Sequence, residues 1–387
     1  MTASHIGVHN LGKKFGKLQV LHQINLEVNK GEYVVILGPS GAGKTTFLKL
    51  IAGILKPSEG EVHKNGRNLN QIPPEKRNVA YLPQTSDYSL FPYMTVWENT
   101  VFSPRMKGEK SWDQVRAVGD EILDLVGLRF RYDALPYELS GGMKQRVALA
   151  RCIAADADVF LLDEPLRALD ARLRLRIRKE LRKLAKDLEK TTFHVTHDFE
   201  EALAIADKVL IINQGRIEQY GTPDQIYNSP NSLFAAYFFG ETNLLPGTLL
   251  EEPNSSTDEY LVKVGERSLV VEVNKLRGVM KSAQEKSDRV IIAIKAENIL
   301  VSRNVLETDK IDEENTIEGI IKEIFDLGKF ANLEIQSEVL SKSLNAYIPS
   351  AELSSFDIGM KVIVSMPKDA IIWFHEDWDL IGKLEEV

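Results

Sequence analysis

Eight residues, Gly38-Pro39-Ser40-Gly41-Ala42-Gly43-Lys44-Thr45, follow directly on the apolar run Tyr33-Val34-Val35-Ile36-Leu37. Glycines at these spacings let backbone N–H groups wrap around phosphate oxygens where a Cβ would intrude. Thr45 and Thr46 then open a helix whose N-terminus adds a partial positive charge. Lys44 is spaced to reach the β- and γ-phosphates, and the Thr45 hydroxyl to ligate Mg²⁺. A strand, a glycine turn and a helix start in this order form a phosphate-binding loop, so the chain is expected to bind a nucleoside triphosphate.

A second constellation lies downstream. Val159-Phe160-Leu161-Leu162-Asp163-Glu164 reads as a buried strand ending in two carboxylates. Such a strand delivers Asp163 beside the phosphate loop, where it can hold Mg²⁺ directly or through water. Glu164 is then placed to polarise a water for attack on the γ-phosphate. Alone, the pair would read as an acidic cap on a strand. Between the two motifs stands Leu139-Ser140-Gly141-Gly142-Met143-Lys144-Gln145-Arg146. Ser140 can cap a helix there, with Gly141 and Gly142 exposing its first N–H groups to an anion.

The elements that must position these residues follow an α/β pattern to about residue 240. Strands are expected at Tyr33–Leu37, Val79–Leu82, 159–162, 193–196 and 209–213, and helices at 44–54, 112–126, 141–154, 172–190 and 198–206. The region 86–158 lacks strong strand signals and reads as a helical insertion. In residues 172–190, rich in Arg and Lys, Leu175, Leu181, Leu184 and Leu188 recur at helical spacing, which points to a packed helix with a solvated basic face. Asn228-Ser229-Pro230-Asn231-Ser232 breaks the pattern, and a short helix near 233–239 follows. From Pro246-Gly247 onward, short β-branched runs dominate: 261–264, 269–273, 290–294, 318–324, 332–335 and 362–364. Acidic loops at 251–259 and 307–315 separate some of them, and the whole reads as an all-β module of one or two barrels, a sandwich being the alternative. The acidic-aromatic segment 373–379 reads as a packing edge, since its His375 and carboxylates show no repeated ligand spacing.

The chain has 387 residues, a net charge of −8 and 43% hydrophobic residues, ample for two or three domains. With no basic excess to neutralise phosphates, a dedicated nucleic-acid binder is excluded. Cys152 is the single cysteine, which rules out an intramolecular disulfide and reads as a small core hydrophobe. The first residues lack a signal-peptide pattern and no apolar stretch approaches the ~20 residues of a membrane span, so a cytosolic location is expected. His194 matches no motif and reads as structural.

Together the motifs resemble the ATPase subunit of an ATP-binding cassette (ABC) transporter over about residues 3–240. The resemblance implies an α/β P-loop cassette with a helical subdomain, ATP and Mg²⁺ as cofactors, and Leu139–Arg146 as the family signature. It implies that Gln84 is the lid glutamine, that His197, in Val195-Thr196-His197-Asp198, is the switch histidine, and that Phe15 stacks on adenine. It further implies that Leu166–Asp170 contacts a second copy, and that Ser140 and Gly142 close over ATP held by the partner's loop. Residues 241–387 resemble the OB-like (TOBE) regulatory barrel of importer ATPases, through Thr242-Asn243-Leu244-Leu245-Pro246-Gly247 and through Lys295-Ala296-Glu297-Asn298, where Arg-Pro-Glu is usual.

The partners so implied are a second ATPase subunit, transmembrane permease subunits at the cytoplasmic face of the membrane and, indirectly, an extracytoplasmic solute-binding protein. The run Phe91-Pro92-Tyr93-Met94 with Trp97 falls where the family docks its permease. Three departures stand out: Met143 replaces a usual Gln, Arg167 replaces a small polar residue, and the 85–93 segment is a residue or two longer. Rival readings are a soluble ABC ATPase acting on ribosomes or DNA, which usually carries two cassettes or a long coiled coil, an exporter ATPase, and a C-terminal small-oxyanion sensor.

Overall fold

Every residue of Tyr33–Leu37, Val159–Asp163 and Thr191–Val195 is buried, the mark of parallel strands covered on both faces. The computed structural model describes residues 4–85, 89–108, 110–250, 259–277, 288–303, 315–340, 342–376 and 378–385. The acidic loops at 251–258 and 307–314, the centre of the 85–93 segment (86–88) and Asp377 lie outside the described residues.

Contacts divide the chain into two units, Met1–Ile226 and Tyr227–Val387. In the first, β1 (Ile6–Phe15), β2 (Leu18–Val28), β4 (Glu59–Lys64) and β5 (Arg67–Asn68) form an antiparallel sheet in the order β2-β1-β4-β5. The sequence pattern did not signal this sheet: bulges in β1 interrupt its alternation around Asn10 and Gly12. The second sheet combines β3 (Tyr33–Leu37), β6 (Val79–Leu82), β7 (Val159–Asp163), β8 (Thr191–Val195), β9 (Lys208–Asn213) and β10 (Arg216–Gly221). Its order is β10-β9-β3-β8-β7-β6, parallel except for the β10–β9 pair. The C-terminal ends of β3, β6, β7 and β8 therefore share one edge, where α/β sheets place their ligands.

Helix α1 (Lys44–Ala52) follows β3. The insertion contains α2 (Val96–Lys107), α3 (Trp112–Leu125) and α4 (Gly141–Ala154). Capping boxes start α2 and α3, Thr95 with Glu98 and Ser111 with Gln114. Buried Asn99 fixes the aromatic run before α2, donating to the Phe91 and Met94 carbonyls and accepting from the Phe91 N–H. Trp97 packs on the helical core, whereas Tyr93 is 93% exposed. Cys152 is buried in α4, and burial pushes its thiol up to about 12.

Helix α5 (Ala171–Asp187) buries Ile177, Leu181 and Ala185. This corrects the expected stripe, for Leu175 and Leu188 are exposed and the buried face runs at i, i+4, i+8. Helices α6 (Phe199–Ile205) and α7 (Pro223–Asn228) complete the series.

The second unit begins 14 residues before the expected boundary at 241, and Lys295 explains why. Helix α8 (Leu233–Phe238) ends where the buried Lys295 ammonium donates to the Ala236 carbonyl, at 2.8 Å, and to that of Phe239. Burial lowers the Lys295 pKa to about 7. Two sheets follow. The first comprises β11 (Thr242–Leu249), β12 (Glu259–Val264), β13 (Arg267–Glu272), β14 (Leu276–Arg277), β15 (Arg289–Lys295) and β21 (Ile372–Phe374). The second comprises β16 (Leu300–Ser302), β17 (Thr316–Asp326), β18 (Phe330–Gln336), β19 (Leu344–Pro349) and β20 (Lys361–Ser365), and α9 (Asp379–Glu385) closes the chain. Alternate residues of both sheets, among them Val262, Val271, Ile292, Ile321, Leu333 and Val364, share one core with Trp373. The Trp373 indole donates to the Glu272 carbonyl at 2.9 Å.

Candidate active site

The phosphate-binding loop is set between β3 and α1 by close backbone approach. Gly38 carries φ 152°, and a Cβ there would lie 2.0 Å from the Ile212 carbonyl oxygen of β9, so only glycine fits. The loop's tip, Ser40 and Gly41, is exposed, while Ala42 and Lys44 are buried. Lys44 Nζ donates to the Gly38 and Pro39 carbonyls at 2.6 and 2.8 Å, holding the loop wrapped around its ammonium. Burial lowers the Lys44 pKa, against the pull of the Glu164 and Asp163 charges.

From the end of β7, beyond β8 in the sheet, Asp163 Oδ2 accepts from Thr45 Oγ1 at 2.7 Å. Burial raises the Asp163 pKa despite that bond. Its Oδ1 is buried with no hydrogen-bond partner among the described residues. A buried carboxylate with one orphaned oxygen, beside a hydroxyl and the phosphate loop, fits a divalent cation. The residues present therefore suit Mg²⁺.

Glu164 takes up a left-handed conformation, φ 50°, immediately after β7. Two bonds from one buried side chain hold that turn: Gln145 Nε2 donates to the Glu164 carbonyl at 2.7 Å, and Gln145 Oε1 accepts from the Ala168 N–H at 3.0 Å. The Glu164 carboxylate is thus aimed at an imidazole and a guanidinium. Oε1 lies 2.8 Å from His197 Nε2, and Oε2 accepts from Arg167 Nη1 at 2.9 Å. Burial alone would raise this carboxyl, but hydrogen bonds from Gln84 and Arg167 and the charges of His197 and Arg167 hold it below the usual carboxylate range.

One cavity of about 440 Å³ is lined by Ser40, Gln84, Glu164, Arg167 and His197. The ends of β3, β6, β7 and β8 have thus been gathered as the parallel order requires. A larger cavity, about 710 Å³ on β17, β18 and β20 of the second unit, holds none of these residues. Phe15, half-exposed at the end of β1 with Lys13 Nζ 5.0 Å from its ring centroid, does not line the smaller cavity. Nor do Ser140, Gly141 and Gly142, at the start of α4. Ser140 caps that helix by accepting from the Met143 N–H. A Cβ on Gly142 would come within 2.8 Å of the Ala168 carbonyl, so this glycine lets α4 lie against the turn that carries Glu164.

A family model described as ABC transporter matches residues 21–167. The spermidine/putrescine import ATP-binding protein PotA of Thermotoga maritima is 38% identical over 328 residues, 85% of either chain. The chain belongs to the ABC transporter ATPases. The sulfate/thiosulfate import ATP-binding protein CysA 2 of Chromobacterium violaceum is 47% identical over 244 residues, 63% of this chain and 66% of its own. A dimeric ATP-binding cassette in a post-hydrolysis state, bound to ADP and Pi, superposes with TM-score 0.53 at 31% identity, covering 56% of this chain and 98% of its own.

In this ABC ATPase, sequence reasoning overlooked two residues of the site. Gln145 carried a usable signal, being a polar residue amid Val147, Leu149 and Cys152 on a helix that must pack. Arg167 was visible only as a departure at a contact loop, and nothing in its spacing pointed to Glu164. His194 is fully buried, with Nδ1 2.9 Å from the Tyr33 hydroxyl, and burial lowers its pKa to about 3.

Proposed function

We propose that this ATPase powers solute import through separate transmembrane subunits, pairing with a second copy around two ATP molecules. The observation that carries the reading is the Glu164 carboxylate, fixed on a clamped left-handed turn between His197 and the phosphate loop. Importer function is supported by the relatives named as import ATP-binding proteins.

The phosphate loop, residues 38–46, cradles the β- and γ-phosphates with its N–H groups, and Lys44 turns its ammonium from its own carbonyls toward them. Phe15 offers a ring face to the adenine. Glu164 accepts a proton from the attacking water, while His197 and Gln84 hold that water and the carboxylate in line. Thr45, Asp163 and Gln84 would hold Mg²⁺, which neutralises phosphate charge as it develops. Ser140, Gly141 and Gly142, outside the cavity of their own cassette, close over the nucleotide of the partner, as the exposure of Ser140 and Gly141 at a helix N-terminus allows.

The aromatic run around Tyr93 receives the permease, which sets the subunit on the cytoplasmic face of the membrane; among the described residues no helix is long and apolar enough to cross it. The strand-rich second unit, which helices α8 and α9 keep from being the expected all-β module, is an OB-like (TOBE) domain with a regulatory role.

The test is Glu164→Gln. ATP binding should persist while phosphate release falls at least ~100-fold, the scale of a general-base effect. The same variant with ATP, used to pull partners from solubilised native membranes, should bring down a multi-span protein. Near-normal turnover refutes the role of Glu164, and recovery of ribosomal or DNA-associated proteins alone refutes transport.

A further inference from the structure

The reaction as described has no use for Arg167, yet this residue holds one oxygen of the base. The turn that starts at Glu164 brings it there: the Arg167 N–H lies 3.4 Å from the Glu164 carbonyl, and the side chain folds back three residues to place Nη1 on Oε2. With His197 on Oε1 and Gln84 also bonded to the carboxylate, a water reaching Glu164 must compete with donors already in place.

The two ends of the pair are unequal. The Glu164 side chain is 6% exposed, on backbone clamped by Gln145, whereas that of Arg167 is 71% exposed and makes no other ion pair among the described residues. A guanidinium so exposed detaches at little cost, and a clamped, buried carboxylate does not follow it. Arg167 also lines the cavity that Ser40 and His197 share, so it meets the same space the attacking water must enter.

We propose that Arg167 is a positioning residue that restrains Glu164, occupying Oε2 in the resting cassette and giving way when water and nucleotide are in place. Turnover without the permease is thereby held down by a contact that any arrangement pulling on the 164–170 turn can release. This rests on Glu164 being the base.

The experiment compares steady-state ATP hydrolysis by the isolated full-length chain and by its Arg167→Ser and Arg167→Lys variants. Loss of an exposed ion pair predicts a rise in kcat of about two- to fivefold for Arg167→Ser, with KM for ATP unchanged. Arg167→Lys, which keeps a cation within reach of Oε2, returns kcat toward the parent value. Arg129→Ser removes another exposed arginine, paired with Asp124 and Asp120, and leaves kcat unaltered. An unchanged or lower kcat in Arg167→Ser, or a change confined to KM or to ATP cooperativity, overturns the restraint. Glu164→Gln separates the two failures: if it is inactive while Arg167→Ser gains nothing, only the restraint falls, and if it turns over normally the base assignment falls with it.

Discussion

Replacing Gln145 by Leu tests whether the left-handed turn at Glu164 is held from α4. Leucine keeps the bulk of the buried side chain, so the change reports the two hydrogen bonds rather than a cavity. The Glu164 carbonyl retains its long contact with the Arg167 N–H at 3.4 Å, whereas the Ala168 N–H loses its partner outright. Losing this part-buried hydrogen bond costs roughly 0.5–1.5 kcal/mol, and a left-handed L-residue stores ~1–2 kcal/mol that the clamp had offset. A local opening made easier by about 2 kcal/mol should raise hydrogen exchange at the Ala168 amide roughly 30-fold. Glu164 would then relax toward an ordinary conformation, and a shift of about 1 Å in a reacting group can cost ~100-fold in turnover. The assays are amide exchange by mass spectrometry and phosphate release at saturating ATP. Ala168 exchange and turnover both at parental levels would refute the clamp.

Other expectations follow from the charges around the same sheet edge. Asp163→Asn leaves an acceptor for Thr45 but removes the charge next to the orphaned oxygen, so the Mg²⁺ concentration for half-maximal hydrolysis should rise about 10- to 100-fold; an unshifted Mg²⁺ titration contradicts the cation site. His194, fully buried, has a folded pKa of about 3 against the ordinary 6.5. The unfolded chain therefore binds its proton first: the stability His194 allows is complete above pH 6.5 and is lost as pH falls toward 3. The loss reaches about 2 kcal/mol at pH 5. His194→Asn keeps an acceptor near the Tyr33 hydroxyl, and its chemical stability should vary less between pH 6.5 and 5 than the parent's; parallel pH profiles would contradict this.

The parallel strands were legible because most centre on a short apolar run, as at 33–37, 79–82, 159–162 and 209–212, and because the motifs fall at strand ends where chemistry needs backbone and charge together; β10, which carries Arg216, Glu218 and Gln219, was overlooked. Tyr33–Leu37 and Val159–Asp163 could not be read as half-exposed strands. The antiparallel sheet was harder to read for the opposite reason: β1 breaks its alternation with bulges, and β2 mixes exposed and buried residues along its first half. In the second unit the six expected runs fall on strands, but β11, β14, β16, β19 and β21 were overlooked. Asn243 and Pro246 interrupt β11, and the others are short or, like β19, strewn with polar residues. Asp163 and Glu164 were singled out at the end of an apolar run, and Gln84 and His197 through the resemblance to the family, yet the bonds that aim Glu164 were not foreseen, since Gln145 and Arg167 reach it through folded proximity.

That folded proximity has a consequence for how two cassettes would work together. Ser140 and Gly142 stand at the start of α4, and Gln145, one turn further on, is bonded to the turn that carries Glu164. Gly142 lies against the Ala168 carbonyl of that same turn, so the contact is short at both ends of the first helical turn. In the proposed pair, the signature of one cassette meets the nucleotide held by the other, while Glu164 acts on its own. A nucleotide arriving at the partner's loop would thus press on α4 and, through Gln145, on the base of the opposite site. In that proposed pair the two sites would need no distant pathway to sense one another, because a single buried glutamine side chain would link the surface proposed to meet one ATP to the carboxylate proposed to act on the other.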